Sequence, residues 1–149
     1  MSTRFSHANI VAEDWRSLAK FYEEVFECVC LLPERDVSGE WLGKGTGVKD
    51  AEIKGVHLRL PGFQGDGPTL EIFSYSHMKE KPLPKANRLG VGHLAFNVDN
   101  VQETLEKVIN NGGDVLGEIV SREIPDLGKI IFVYALDPEG NILELQSWS

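Results

Sequence analysis

Two stretches of the chain, FSHANIVAEDW at residues 5–15 and VGHLAFNVDNV at residues 91–101, decide the fold because they share one pattern. Aligned without a gap, they place His7 on His93, and apolar and polar residues alternate in each as in a half-buried strand. Each stretch then runs into an amphipathic helical pattern, for which we expect Asp14 and Asn100 as the N-caps. The chain therefore contains an internal repeat that begins with a strand and a helix.

The ends of the two halves match as well. GPTLEI at residues 67–72 and GNILEL at residues 140–145 share the pattern G-x-x-L-E-[IL], and each follows a turn-rich segment typical of a hairpin connection. Each half also contains two further strand candidates, at 28–33 and 55–61 in the first and at 114–120 and 129–136 in the second. This order, used twice, predicts an α+β fold of two tandem βαβββ modules.

We expect a single domain over residues 1–149, with a first module at about 5–75 and a second at about 90–148. The linker between them, 76–89, contains two prolines, which interrupt regular structure. The first module is the longer one, and its extra residues fall in the polar, glycine-rich stretch 36–54. We expect that stretch to be a long loop with room for one helical turn.

The polar faces of the predicted strands carry the residues that indicate chemistry, since alternation separates the two faces of a strand. His7 and His93 lie opposite the apolar side chains of the first strands, and Glu71 and Glu144 do so in the last strands. Each of them alone would be an ordinary strand residue. Together, two imidazoles and two carboxylates form a mixed nitrogen and oxygen set suited to Zn, Ni, Fe, Mn or Co, so the repeat predicts a metal site.

The sequence resembles the vicinal oxygen chelate superfamily, the glyoxalase/bleomycin-resistance/dioxygenase group, over nearly its whole length. The resemblance rests on the segments HANIVAEDWRSLAKFYEEVF, GHLAFNVDNVQETLEKVINNGGDV and DPEGNILELQSW. It implies paired modules that form a cupped mixed sheet around a divalent metal, with ligands that map onto His7, Glu71, His93 and Glu144. It also implies a homodimer, and it leaves open whether the four ligands come from one chain or two.

A His/Glu/His/Glu set is similar to that of bacterial glyoxalase I. The resemblance implies an isomerase, epimerase or lyase that acts on a small carbonyl substrate through a metal-stabilised enolate, with Glu144 or Glu71 taking and returning the proton. A non-haem Fe(II) extradiol-type dioxygenase is one alternative, although such enzymes use two histidines and one glutamate. A metal-free, drug-sequestering binding protein is the other, although it would have no need of the four ligands.

Candidate substrate-binding residues come from the same strand faces and from the glycine-rich stretch. Asn9 and Asn97 share the polar faces with the two predicted histidine ligands. His57 and Arg59 share one face of GVHLRL, where they either line the cavity or form a solvent-facing pair. Trp41 either covers the cavity or packs on its own module.

The composition argues against several other classes. A formal net charge of −8 disfavours nucleic acid and anionic membranes as partners, because both would repel the chain. No window approaches the ~18 apolar residues of a membrane span, and the first residues lack the pattern of a secretory leader. Cys28 and Cys30 lie too close together in a predicted strand for an unstrained disulfide. We therefore expect reduced thiols and a cytoplasmic protein.

Overall fold

The computed structural model describes residues 2–149 as two compact units, the first ending at Lys81 and the second beginning at Pro82. The first unit contains β1 (His7–Val11), α1 (Trp15–Phe26), β2 (Val29–Ser38), α2 (Glu40–Thr46), β3 (Glu52–Arg59) and β4 (Thr69–Tyr75). The second contains β5 (Leu94–Asn97), α3 (Val101–Asn110), β6 (Asp114–Val115), β7 (Val120–Ile124), β8 (Gly128–Leu136) and β9 (Ile142–Trp148). The predicted α+β class and the repeated strand and helix order are confirmed.

The sheet of the first unit has the strand order β1-β4-β3-β2, in which β1 is parallel to β4 and the other neighbours are antiparallel. α1 contacts β3 and β4, because its apolar stripe, including the buried Leu18 and Tyr22, covers one face of this sheet. Leu58 and Ile72 are buried on the strands that the helix covers. Alternation turns His57 and Glu71 toward the opposite face.

The sheet of the second unit repeats this arrangement in the order β5-β9-β8-β6, with β7 also paired to β8. β5 is parallel to β9, as β1 is to β4, and α3 contacts β8 and β9. The single strand predicted at 114–120 is wrong, because β6 and β7 pair with different parts of β8. The backbone amides of Leu116 and Gly117 both donate to the carbonyl of Tyr134, so the chain leaves the ladder there.

The prediction of a long loop at 36–54 is also wrong for most of these residues. β2 continues to Ser38, α2 occupies Glu40–Thr46 and β3 begins at Glu52. The segment is ordered by a small apolar cluster of its own, in which the buried Leu42, Ala51 and Ile53 pack with partly buried neighbours. The glycine-rich composition suggested a loop, but tertiary burial of a few apolar residues outweighs such a weak local preference.

The helix starts expected from the sequence are present. The Asp14 carboxylate accepts hydrogen bonds from the backbone N–H of Ser17 at 3.1 Å and from its hydroxyl at 2.7 Å, which lower the pKa of Asp14. The Asn100 side chain accepts from the backbone N–H of Glu103 at 3.0 Å. These caps fix where α1 and α3 begin, directly after the strands that carry the predicted ligands.

Both cysteines are free thiols, as expected. Cys28 follows the last turn of α1, where its backbone N–H donates to the carbonyl of Tyr22 at 3.3 Å, and its side chain is only 3% exposed. Burial raises the pKa of Cys28 to about 12, and the negative charge of Glu23 adds to the shift. The neutral thiol is therefore a packed part of the core.

This buried thiol predicts a loss of stability in alkali. Because its pKa in the folded protein lies above the ordinary value of 9.0, the folded state binds its proton more tightly than the unfolded state. The contribution is complete below pH 9.0 and disappears as the pH rises toward about 12. Urea unfolding measured between pH 8 and 11 should show a shallower decline for Cys28→Ala than for the wild type.

The matched control is Cys30→Ala, which removes the less buried of the two thiols and should leave most of the alkaline decline in place. Identical slopes for Cys28→Ala and the wild type would contradict the assignment.

Candidate metal and substrate site

The centre of the site in the first unit is the carboxylate of Glu71 on β4. Its Oε1 lies 3.0 Å from Nε2 of His7, and its Oε2 lies 2.8 Å from Nε2 of His57. The side-chain amide of Asn9 donates to Oε1 at 3.2 Å. Two strands, β1 and β3, thus bring nitrogen atoms to the carboxylate on β4, since Glu71 faces Asn9 across the β1–β4 ladder and His57 across the β3–β4 ladder.

This carboxylate is largely removed from solvent, because Glu71 is only 8% exposed as a residue. Burying an unpaired carboxylate costs on the order of several kcal/mol of folding free energy. Here two imidazoles and one amide lie beside the carboxylate and offset that cost. Burial lowers the pKa of His57, the carboxylate of Glu71 opposes this shift, and the nearby Arg35 and His7 side chains add to it. His57 is therefore neutral near pH 7.

His7 has a second contact that bears on ligand chemistry. The hydroxyl oxygen of Ser6 lies 3.2 Å from Nδ1 of His7. The hydroxyl donates to Nδ1 when Nε2 carries the ring proton toward Glu71, and it accepts from Nδ1 when Nε2 is free to bind a cation. Nε2 is also the atom that faces Glu71.

The second unit contains a simpler version of the same pair. Nε2 of His93, the residue just before β5, lies 3.2 Å from Oε2 of Glu144 on β9. The ring of Tyr134 on β8 packs beside His93, with 4.7 Å between ring centroids. Glu144 faces Tyr134 across the β8–β9 ladder, just as Glu71 faces His57 across the β3–β4 ladder. The two units thus place an aromatic ring, His57 or Tyr134, at the same cross-strand position opposite each carboxylate.

The model of the Glyoxalase/Bleomycin resistance protein/Dioxygenase superfamily matches residues 4–145. The chain belongs to this superfamily. The match covers both His/Glu pairs and all but the ends of the chain, and it confirms the resemblance on which the sequence-based hypothesis rests. No curated protein matches the sequence.

Solved structures agree with this superfamily fold. A glyoxalase family protein from Bacillus cereus is 20% identical, with a TM-score of 0.83 over 99% of this chain and 95% of that one. A glyoxalase family protein from Enterococcus faecalis is 22% identical, with a TM-score of 0.59 over 97% and 98%. A glyoxylase/bleomycin resistance protein/dioxygenase domain from Frankia sp. is 18% identical, with a TM-score of 0.57 over 100% and 98%. At these identities the likeness concerns the fold alone.

Within this superfamily member, the donor atoms of each unit suit a divalent cation. Each unit presents one imidazole nitrogen and one carboxylate oxygen 3.0 or 3.2 Å apart, about the spacing of two ligands on one metal with bonds of about 2.0–2.2 Å. Among residues 2–149, no group of three or more His, Cys, Asp or Glu side chains is arranged to hold a metal ion. In the first unit, the two imidazoles contact different oxygens of Glu71, His7 at Oε1 and His57 at Oε2.

The other predicted substrate residues are Arg59 and Trp41 in the first unit and Asn97 in the second. Arg59 is exposed at the end of β3, two residues beyond His57 and opposite Thr69. Trp41 is 68% exposed on α2, and Asn97 is exposed on β5 opposite Gln146. Of the four predicted substrate residues in the first unit, Asn9 and His57 contact Glu71.

Two contributors were missed in the sequence. Tyr134 could have been found by extending the repeat to the strand before each L-E motif, where it takes the place of His57. Ser6 carries no signal beyond being next to His7. The DPEGN motif has a structural role instead: the buried Asp137 carboxylate accepts from the backbone amides of Glu139 and Asn141, which closes the turn before β9.

No helix among the described residues is long and apolar enough to span a membrane.

Proposed function

We propose that this protein is a divalent-metal-dependent isomerase or lyase, similar to glyoxalase I or to an epimerase, that acts on a small carbonyl substrate. The observation that carries the proposal is the repeated His/Glu pair, with Nε2–Oε distances of 3.0 Å for His7 and Glu71 and 3.2 Å for His93 and Glu144. A largely buried carboxylate beside imidazole nitrogens is an environment in which a cation can take nitrogen and oxygen lone pairs as ligands.

The proposed ligands are His7, Glu71, His93 and Glu144, provided by one chain or by two chains of a homodimer. Their nitrogen and oxygen atoms suit Ni, Zn, Mn, Co or Fe better than Ca or Mg. When bound, such an ion supplies a Lewis acid for the negative charge that develops on a carbonyl oxygen as the neighbouring proton leaves. A reducing cytoplasm as its location is supported by the free thiols of Cys28 and Cys30.

Of the two candidate bases, we propose that Glu144 takes and returns the proton. Glu71 is engaged by His7, His57 and Asn9, whereas His93 is the single ion-pair partner of Glu144 within residues 2–149. Each contact of this kind restrains the carboxylate that makes it. Glu71 is therefore the better fixed ligand, and Glu144 is the carboxylate with more freedom to reach a substrate proton.

For the substrate, we propose contacts from Asn9 and Asn97 on the polar strand faces and from Arg59 beside the site. Trp41 is proposed to cover bound substrate. This large apolar residue lies on the short helix α2 and is 68% exposed, so it has apolar surface that a ligand can contact. His57 is close enough to Glu71 to touch a substrate that reaches this carboxylate.

The second candidate is a non-haem Fe(II) dioxygenase. It is favoured by one observation, that two imidazoles and one carboxylate meet in the first unit, the ligand types of many Fe(II) oxygenases. The two candidates differ in the metal they need and in their dependence on oxygen.

Metal analysis of protein purified without chelator tests the proposal. We expect about one Ni, Zn, Mn or Co ion per site, and turnover of a hemithioacetal or an epimerisable thioester that is lost on chelation and restored by the same ion. Oxygen-sensitive iron with turnover of a catechol would favour the second candidate. Metal-free protein that binds hydrophobic drugs and gains nothing from added ions would contradict both and favour sequestration.

A further inference from the structure

We propose that His57 is a positioning residue for the Glu71 carboxylate, holding Oε2 so that Oε1 is the oxygen offered to a cation beside His7. The inference rests on the proposed function, in which Glu71 is a metal ligand. It assigns His57 a role as a hydrogen-bond donor, distinct from both metal binding and substrate contact.

The contacts of Glu71 divide cleanly between its two oxygens. Nε2 of His57 lies 2.8 Å from Oε2, the shorter of the two imidazole contacts. Oε1 faces Nε2 of His7 at 3.0 Å and receives the Asn9 amide at 3.2 Å. Oε1 is the oxygen beside Nε2 of His7, the proposed ligand nitrogen, whereas Oε2 lies 2.8 Å from Nε2 of His57, so the geometry favours Oε1 as the ligand atom.

His57 is itself held in place, as a positioning residue must be. It lies on β3 directly opposite Glu71, with its side chain only 21% exposed. Its ring packs edge-on against Phe73, with 5.8 Å between centroids, and against the ring of His7, with 6.0 Å. The imidazole thus packs against two other rings, and its Nε2 lies 2.8 Å from the carboxylate.

The second unit supplies an internal comparison. Tyr134 occupies the position opposite Glu144, but its ring packs on His93, and no ion pair other than that with His93 holds Glu144 within residues 2–149. The two halves of the repeat therefore differ at both cross-strand neighbours of the carboxylate. His57 and Asn9 restrain Glu71, whereas Tyr134 and Ala95 at the equivalent positions leave Glu144 freer. That difference is expected if one glutamate must stay fixed while the other moves a proton.

Cobalt binding tests the role without relying on turnover. The full-length protein, stripped of metal, is titrated with Co²⁺ and followed by its visible spectrum. Loss of a hydrogen-bonding partner behind a ligand typically weakens metal affinity 10- to 100-fold, and we expect this loss for His57→Phe. His57→Gln, whose amide Nε2 can donate from a similar position, should stay within about threefold of the wild type. The control His77→Gln changes an exposed histidine outside the site and should bind as the wild type does.

Two outcomes would overturn the inference. Wild-type affinity in His57→Phe would show that Glu71 needs no support, and equal weakening in His57→Gln and His57→Phe would make the imidazole a ligand or a packing group. A separate measurement needs no metal. In urea unfolding of metal-free protein, the effect of the double variant His57→Phe/Glu71→Gln on the unfolding equilibrium constant should differ about tenfold from the combined effects of the two single variants. Additive effects would count against the contact itself, whereas failure of the wild type to bind Co²⁺ would overturn the proposed function.

Discussion

Glu144→Gln is expected to lower the turnover number by 10²–10⁴-fold while the protein keeps its metal, because a positioned general base contributes about that much and an amide cannot accept the proton. The loss should fall on kcat more than on KM, since the variant keeps the size and the oxygen atom of the original side chain. Steady-state kinetics on the substrate that the wild type turns over, with metal content measured on the same samples, provide the test.

The structural reason to choose Glu144 is its sparse environment. Its side chain is 16% exposed and pairs with His93 at 3.2 Å, whereas the Glu71 side chain is 11% exposed and lies between two imidazoles. A carboxylate with fewer contacts is less restrained and is therefore freer to reach a substrate proton. Glu71→Gln should therefore reduce metal affinity more than it reduces the turnover of the metal-loaded protein.

The matched control is Glu123→Gln, the same chemical change on β7 of the same sheet, where the side chain is exposed and faces Lys129 across the ladder. It should leave both metal content and turnover unchanged. Full turnover by metal-loaded Glu144→Gln would remove this residue from the chemistry and transfer the role of base to Glu71.

Gly55→Ala is expected to destabilise the protein by about 3 kcal/mol or more, at or above the upper end of ordinary overpacking. A Cβ on Gly55 would lie 2.0 Å from the backbone oxygen of Ile72 and 2.9 Å from Cα of Phe73. These atoms belong to β4, which pairs with β3 at this point, so relief requires the two strands to separate. Urea unfolding should show a much lower midpoint, or the variant should fail to fold.

The same separation reaches the site, because His57 is two residues beyond Gly55 on β3 and Glu71 is next to Ile72 on β4. We therefore expect any folded fraction of Gly55→Ala to lose Co²⁺ affinity as well. Gly45→Ala is the matched control: a Cβ there meets nothing within 4 Å, and Gly45 lies within α2. It should be neutral or stabilising by up to about 1 kcal/mol. Equal midpoints for the two variants would contradict the close-approach argument.

Local periodicity accounts for what was predicted well. The match of His7 with His93, the parity that sets Glu71 against Leu70 and Ile72, and the cap at Asn100 depend on neighbours within a few residues. The structure confirms the two repeated units and the helix starts that these signals predicted. The family followed from the same segments and is confirmed by the match over residues 4–145. The metal, the reaction and the four ligands remain proposals.

The errors arose where composition competed with packing. The stretch 36–54 looked like a loop because of its glycines and polar residues, yet Leu42, Ala51 and Ile53 bury enough apolar surface to order it. The strand expected at 114–120 is divided because two backbone amides, those of Leu116 and Gly117, donate to the single carbonyl of Tyr134. Both outcomes depend on partners that are distant along the chain.

By itself, the sequence determined the repeat, the α+β class and which face of each strand is polar, because residues close together in the chain encode those features through 2.0- and 3.6-residue periodicities. Only the tertiary structure decided that His57 rather than Arg59 meets Glu71, and that Tyr134 stands in the equivalent place beside His93. That choice depends on the register between antiparallel strands, and a shift of one residue would turn these side chains to the other face.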